Sequence, residues 1–238
     1  MRAPCKKGAN QHDRASEMTD DVTADADLEE FLTHWYGPPK SEPLVPEGTE
    51  PLPLRCWYGY TQAWQQELAK QNRALPADEL TALEGKTVFY VEHHRAWLWG
   101  YGEGPNPEVF DRASDASAHW AETGERLDMF LWHMAVFEAA LSGPYNLGAN
   151  DLSLEEIELC TGLLDLCPFE PWRFPGPMSR LWWNEDLVVL TVANLPVDGE
   201  VTDETRWALF VGGRTPDALE ELDGIGVAWD FDSRAVHD

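Results

Sequence analysis

Apolar residues recur every three to four positions in three stretches of the chain, and each stretch predicts an amphipathic helix. The first spans residues 26–36, where Asp27 is a suitable N-cap and residues 37–39, Gly-Pro-Pro, end the pattern. The second follows a proline-rich connector and extends to about residue 71, and the third, residues 126–141, is expected to cover one face of a sheet. The apolar positions are Leu28, Phe31, Leu32 and Trp35 in the first stretch, Trp57, Tyr60, Ala63, Trp64 and Leu68 in the second, and Leu127, Phe130, Met134, Phe137 and Leu141 in the third.

Between the second and third helices, the pattern changes to short runs of β-branched and aromatic residues. Residues 86–92 and 96–101 are two such runs, separated by the polar residues 93–95, and they predict an antiparallel hairpin. A further short strand is predicted at residues 107–110, after a segment rich in glycine and proline.

A second group of elements follows residue 142. Ser153 and Glu156 have the spacing of a capping box and predict a helix that continues toward residue 166. Thr215, followed by proline, predicts another helix start. Strands are predicted at residues 180–183, 187–193 and 206–211, and a last one at 227–229.

Helices and strands do not alternate regularly along the chain, so the sequence predicts an α+β fold. We expect a central antiparallel sheet flanked by helices, with a C-terminal α+β elaboration. Residues 27–142 would form the core, and residues 143–238 would be the elaboration, packed on the same core. Residues 1–26 lack apolar periodicity and are expected to be a disordered extension, within which Met18 is an alternative start of the natural chain.

The 238-residue chain is strongly acidic, with 43 Asp and Glu residues against 17 Lys and Arg and a net charge of −26. Such a charge repels phosphate groups and anionic lipid heads, so we expect no nucleic-acid partner and no membrane partner. It attracts basic surfaces, so a basic protein partner is expected, although the same charge also serves solubility. No apolar run is long enough to span a membrane, and none follows the basic N-terminus. We therefore expect a cytoplasmic protein whose four cysteines are reduced.

Glycine-rich and histidine motifs do not predict a catalytic or cofactor site. Residues 85–87, Gly-Lys-Thr, lack the earlier glycine of a phosphate-binding loop, and residues 100–104 lead into proline instead of a helix. His93 and His94 are adjacent, and neighbouring side chains of a strand or turn diverge, so we interpret them as surface residues. The sequence predicts no enzyme activity, no cofactor and no metal.

The aromatic residues are the strongest candidates for partner contacts. Most of the twelve tryptophans are expected in the core, but the predicted hairpin carries aromatic residues on two faces, of which only one must pack on the helices. Exposed aromatic side chains dominate the energetics of protein interfaces. The candidate partner-binding residues are Tyr90, Trp97, Trp99 and Tyr101.

The order of these elements resembles the SUKH superfamily, whose bacterial members are largely immunity proteins of toxin systems and whose fungal members regulate cell-wall synthesis. The resemblance covers residues 27–142. It lies in the helix around residues 57–60, Trp-Tyr-Gly-Tyr, the strand pair 88–92 and 97–99, the strand at 107–109 and the helix at 127–132. It implies a non-catalytic protein that binds a partner, often a toxin. We therefore expect an immunity protein that neutralises a toxin by direct binding, with a regulatory or scaffold protein of the same fold as the alternative, and an unrecognised enzyme as the next.

Overall fold

Five α-helices and two antiparallel sheets make up the part of the chain that the computed structural model describes, which is residues 20–65, 68–176, 178–195 and 199–236. The predicted α+β class is confirmed. The elements form layers: the first sheet, three helices, the second sheet, and two short helices with the C-terminal segment. None of the described helices is both long and apolar enough to cross a membrane. The helices are α1 (Asp20–Tyr36), α2 (Leu52–Trp64), α3 (Leu127–Ser142), α4 (Leu154–Thr161) and α5 (Pro216–Glu220).

Helix α3 lies in the centre of the molecule, between the two sheets, and does not cover one face of one sheet as predicted. Every residue from Leu127 to Ala140 except Met129 is buried. A helix that is apolar on all sides packs on all sides, and this one contacts helices α1 and α2 as well as both sheets. Its approach to the second sheet is close: a Cβ at Gly212 would lie 2.0 Å from the carbonyl oxygen of Ala139. Only glycine fits this position.

The first two helices differ from their predicted limits. Helix α1 begins at Asp20, so the predicted disordered extension is wrong for residues 20–26, whereas residues 1–19, with Met18, lie outside the described residues. Helix α2 begins at Leu52 and ends at Trp64, well before residue 71. Gln65 takes a left-handed conformation, with φ of 53°, and this ends the helix.

The first sheet contains the predicted hairpin, which is confirmed, together with the strand after it. Its strand order is β1-β3-β4-β5-β6, and β2 also pairs with β3. Strands β1, β2 and β6 were not predicted, because they are short or carry mostly polar residues. The strands are β1 (Asn72–Ala74), β2 (Thr81–Leu83), β3 (Lys86–Glu92), β4 (Trp97–Tyr101), β5 (Glu108–Ala113) and β6 (Ala121–Arg126).

The second sheet is built from the C-terminal part of the chain, in the order β12-β7-β11-β10-β9-β8. Three of its strands, β9, β10 and β11, were predicted and are confirmed, and β10 is buried along its whole length. The last predicted strand, at residues 227–229, is wrong; the two-residue strand β12 follows it instead. The strands are β7 (Tyr145–Leu152), β8 (Asp165–Leu166), β9 (Arg180–Trp183), β10 (Leu187–Ala193), β11 (Trp207–Gly213) and β12 (Phe231–Asp232).

Two helix starts follow the predicted capping chemistry. The Ser153 side chain accepts from the backbone N–H of Glu156, and the Glu156 carboxylate accepts from the backbone N–H of Ser153 at 2.8 Å, which confirms the capping box of α4. The Thr215 side chain accepts from the N–H of Ala218 and so caps α5. Both helices cover the outer face of the second sheet.

Two buried cysteines should resist alkylation in the folded protein. Burial, together with the charge of Glu156, raises the pKa of the Cys160 thiol to about 11, and burial raises that of Cys167 well above its usual range. Because the thiolate is the reactive species, iodoacetamide at pH 8 should leave both unmodified in the native state and modify both in urea. Site-resolved mass spectrometry measures this, and rapid native labelling of either residue would contradict the packing.

Candidate functional site: an acid-rimmed aromatic cavity

The predicted partner-binding residues of the β3–β4 hairpin lie mainly in the core, so this prediction is corrected. Tyr90 and Trp99 are 0% exposed and Tyr101 is 9% exposed. Trp97 is half-buried, with its ring centroid 5.9 Å from that of Phe174. The structure brings the four close together in the sheet but leaves none of them as an exposed anchor.

Two features of the hairpin explain this burial. The pairing of β3 with β4 is irregular between Val88 and Tyr90, and both Phe89 and Tyr90 enter the main core beneath the sheet. The opposite face is covered in turn, because Val88 and Val91 form a small separate core with residues of the segment before β3, of β4 and of the segment before β6. The partners in that core are Leu75, Leu80, Leu83, Leu98 and Trp120.

A cavity of about 550 Å³ opens elsewhere, between helix α1, helix α3 and the β8–β9 end of the second sheet. Its volume is typical of ligand sites. Helix α1 contributes positions 27, 30, 31, 34 and 35, whose spacing places them on one face of the helix. The residues that line the cavity are Asp27, Glu30, Phe31, His34, Trp35, Trp132, Asp165, Trp183, Asn184, Glu185 and Val188.

Aromatic rings form the wall of this cavity. Phe31 stacks on Trp35 with centroids 5.9 Å apart, and Trp183 lies 6.4 Å from Phe31 and 6.1 Å from Trp132. Trp35 and Trp132 are more than nine-tenths buried, and within the described part of the chain neither indole N–H has a hydrogen-bond acceptor. A buried donor without an acceptor costs about 1–3 kcal/mol. Trp99 and Trp207 share this feature in other parts of the core, so it is not specific to the wall.

Four exposed carboxylates surround the wall: Asp27 and Glu30 on α1, Asp165 on β8, and Glu185 in the β9–β10 turn. Asp165 is directly opposite Trp183 in the pairing of β8 with β9. Among the described residues, none of the four carboxylates forms an ion pair. The opening is therefore negative, and no Lys or Arg among the described residues pairs with these carboxylates.

Polar contacts hold one side of the cavity in place. Nε2 of His34 lies 2.6 Å from the carbonyl oxygen of Glu185 and 3.1 Å from Nη1 of Arg214, which links α1 to the β9–β10 turn. Arg214 pairs with Asp186 at 3.1 Å, so its charge is already matched. The Asn184 side chain accepts from the N–H groups of Asp186 and Leu187 and fixes the turn that presents Glu185.

A buried polar cluster of Glu125, His133 and Trp172 lies deeper in the protein. Nδ1 of His133 is 2.8 Å from Oε1 of Glu125, and the Trp172 indole donates to the other carboxylate oxygen at 2.9 Å. The His133 ring stacks on Trp172 and Phe169, with centroids 3.6 and 4.4 Å away. A carboxylate–histidine pair can serve acid–base catalysis, but the cavity beside it is about 10 Å³, room for about one water molecule. We interpret the cluster as structural.

The positions of the histidines and of possible metal ligands show whether the described residues could hold a metal ion. His93 and His94 are exposed at the β3–β4 turn, as predicted. Within the described ranges, no group of three or more His, Cys, Asp or Glu side chains is arranged to hold a metal ion.

Comparisons of this chain with protein-family models, with curated proteins and with solved structures gave no match. The functional argument therefore depends on the geometry of the cavity and on charge. The resemblance to the SUKH superfamily stays a prediction.

Sequence reasoning missed the cavity, although part of its signal is present. The polar positions 27, 30 and 34 accompany the apolar positions 31 and 35 on the same face of α1, which indicates a face that is only half buried. Asp165 and Glu185 gave no such signal, because only the tertiary fold brings them to α1.

Proposed function

We propose that this protein is a cytoplasmic, non-catalytic binding module that captures a basic partner protein, and that the acid-rimmed aromatic cavity is the centre of the contact surface. The observation that carries the proposal is the set of four carboxylates around an aromatic wall, none of which has an ion-pair partner in the described part of the chain. Like charges held around one opening repel each other, and a cationic group from a partner relieves that repulsion. The net charge of −26 extends the same preference over the whole surface.

Three exposed leucines near the end of the second sheet favour a protein over a small cation as the partner. Leu159, Leu163 and Leu166 are 56%, 90% and 52% exposed. They lie outside the cavity: Leu159 is on α4, which covers the outer face of the second sheet, and Leu166 is opposite Trp182, which packs against the outer core. Exposed apolar side chains are typical of protein interfaces, and a partner that covers this end of the sheet as well as the cavity would bury them.

The resemblance noted from the sequence suggests a specific form of this function. An immunity protein covers a toxin and thereby blocks its action, which requires binding but no catalysis. Many toxins that act on nucleic acids are basic, because they must hold a phosphate backbone, and such a toxin matches this charge. A regulatory or scaffold protein that binds a basic partner through the same cavity is the alternative.

Affinity capture with matched baits tests the proposal. Three baits are compared: the wild-type chain, the cavity variant Glu30→Lys/Asp165→Lys and the control variant Glu47→Lys/Asp78→Lys. Each bait is incubated with cytosol of the native host and with the product of the gene immediately upstream. The two variants change net charge equally, and all four positions are exposed with no hydrogen bond or ion pair to their side chains among the described residues. Circular dichroism and thermal melts verify that the variants are folded.

We expect a basic protein that the wild type and the control retain and that the cavity variant loses by at least about tenfold, since a charge pair at an interface is worth roughly 1.5 kcal/mol or more. Quantitative mass spectrometry of the three eluates measures this. If both variants lose the partner equally, net charge and not the cavity determines binding. If all three baits retain it equally, the cavity has no role in binding.

A further inference from the structure

The cavity combines two chemical features that few ligands satisfy together, an apolar aromatic wall and a ring of unpaired carboxylates. The wall favours a group that gives up its hydration easily, and the rim requires a positive charge with several hydrogen-bond donors. A lysine ammonium is compact and strongly hydrated, so it suits the carboxylates of the rim but not the apolar wall. An arginine guanidinium is planar and weakly hydrated, stacks on indole rings and presents five N–H donors, so it meets both.

The chain itself uses this combination twice. The Arg173 guanidinium lies 5.5 Å from the ring centroid of Trp97 and bonds the Asp111 carboxylate. The Arg112 guanidinium lies 5.5 Å from the ring centroid of Trp120, and its Nη1 is 3.0 Å from Glu84.

The third cation–π pair, Lys86 with its ammonium 3.3 Å from the centroid of Phe110, has no carboxylate at ion-pair distance among the described residues. In this protein, therefore, tryptophan and carboxylate together hold arginine. The cavity offers both groups, as Trp183 beside Asp165 in paired strands, and no arginine of the described ranges lines it.

We infer that the cavity binds an arginine side chain projecting from the surface of the partner protein. The guanidinium stacks against Trp183 at the mouth of the cavity, and its N–H groups bond Asp165 and the α1 carboxylates Asp27 and Glu30. This inference rests on the proposed function, because it names the partner's contact group.

The size of the cavity agrees with insertion of a side chain. A volume of about 550 Å³ is much larger than one guanidinium, so the space also admits the apolar stem of the arginine and a neighbouring side chain of the same segment.

Fluorine NMR of the full-length chain labelled with 5-fluorotryptophan tests the inference directly. The probes are three blocked tripeptides, Gly-Arg-Gly, Gly-Lys-Gly and Gly-citrulline-Gly, the last of which keeps the shape of arginine without its charge. The Trp183 signal is assigned from Trp183→Phe, and the Trp97 and Trp120 signals, assigned in the same way, report binding elsewhere.

We expect the arginine peptide to shift the Trp183 signal with a dissociation constant of about 1 mM, as befits one side chain, and the lysine peptide to bind about fivefold more weakly. Citrulline should give no shift, and Glu30→Lys/Asp165→Lys should abolish the arginine effect while Glu47→Lys/Asp78→Lys preserves it. Equal shifts with lysine and arginine, shifts only at Trp97 or Trp120, or no shift at about 20 mM peptide would overturn the inference.

Failure of this experiment is distinguishable from failure of the proposed function. If the baits still capture a basic protein in a cavity-dependent manner, but the arginine peptide gives no shift, the proposed function stands and the inference about arginine falls. If the peptide shifts the Trp183 signal but no cavity-dependent protein is captured, the proposed function falls, and only the preference of the cavity for a guanidinium group stands.

Discussion

Replacing Trp99 by alanine is expected to lower the free energy of unfolding by about 4 kcal/mol, because a large aromatic side chain is lost from a fully packed core. The Trp99 ring is edge-on to Tyr90 and to Phe174, at centroid distances of 6.1 and 5.4 Å, and also contacts Phe130 and Trp172. Neighbours from a strand, a helix and a connector cannot all close the space that the indole leaves. Urea denaturation followed by circular dichroism measures the change.

Trp183→Ala is the matched comparison, since it removes the same side chain from the partly exposed wall of the cavity. It should cost about 2 kcal/mol of stability, less than Trp99→Ala, because Trp183 contacts Phe31 and Trp132 but is not fully buried, yet it should strongly weaken partner binding. A Trp99→Ala variant that unfolds at nearly the wild-type urea concentration would show that the hairpin is less buried than described.

Glu138→Gln should lower the free energy of unfolding by about 3 kcal/mol, because a buried carboxylate that accepts four hydrogen bonds would become an amide with one acceptor oxygen. Oε2 accepts from the backbone N–H groups of Lys70 and Gln71, and Oε1 accepts from the N–H and the side-chain amide of Asn72, all at 2.7–2.9 Å. Burial raises the pKa of Glu138, and these donors partly offset that rise.

In the variant, an NH2 group takes the place of one carboxylate oxygen and points at two N–H donors. Those donors would then be buried without an acceptor. The matched control is Glu158→Gln on the exposed face of α4, where no partner lies among the described residues and the change should be within about 0.5 kcal/mol. Equal stability of Glu138→Gln and wild type would mean that the start of β1 is not held by this carboxylate.

The sequence predicted those elements whose signal is local. The hairpin of β3 and β4, the capping residues Ser153 and Thr215, and the apolar strand β10 all carry their own signature, and the structure contains each of them. Strand β7 was missed because Gly148, Asn150 and Asp151 interrupt its apolar pattern, and its pairing with β11 is what makes it a strand.

The depth of a residue was harder to predict than its secondary structure. Alternation along β4 correctly puts Trp97 and Trp99 on one face, but it does not say that a helix apolar on every side lies beneath that face. Residues 129–137 of α3 are all apolar except His133, and this run indicated a helix buried on more than one face; a stripe of five residues was too narrow an interpretation. The cavity depends on α1 meeting the β8–β9 edge, which no local pattern records.

The most direct measurement of the central claim is the binding kinetics of the captured partner with the wild-type chain, Trp183→Ala and Glu30→Lys/Asp165→Lys at several salt concentrations. Trp183→Ala should weaken binding by about 30-fold, mainly through faster dissociation, because an anchoring aromatic is worth about 2 kcal/mol. The charge variant should in addition slow association, and added salt should slow association of the wild type, since electrostatic steering is screened beyond about 8 Å at physiological ionic strength. A partner that binds all three chains with equal rates, or whose association is independent of salt, would contradict the account.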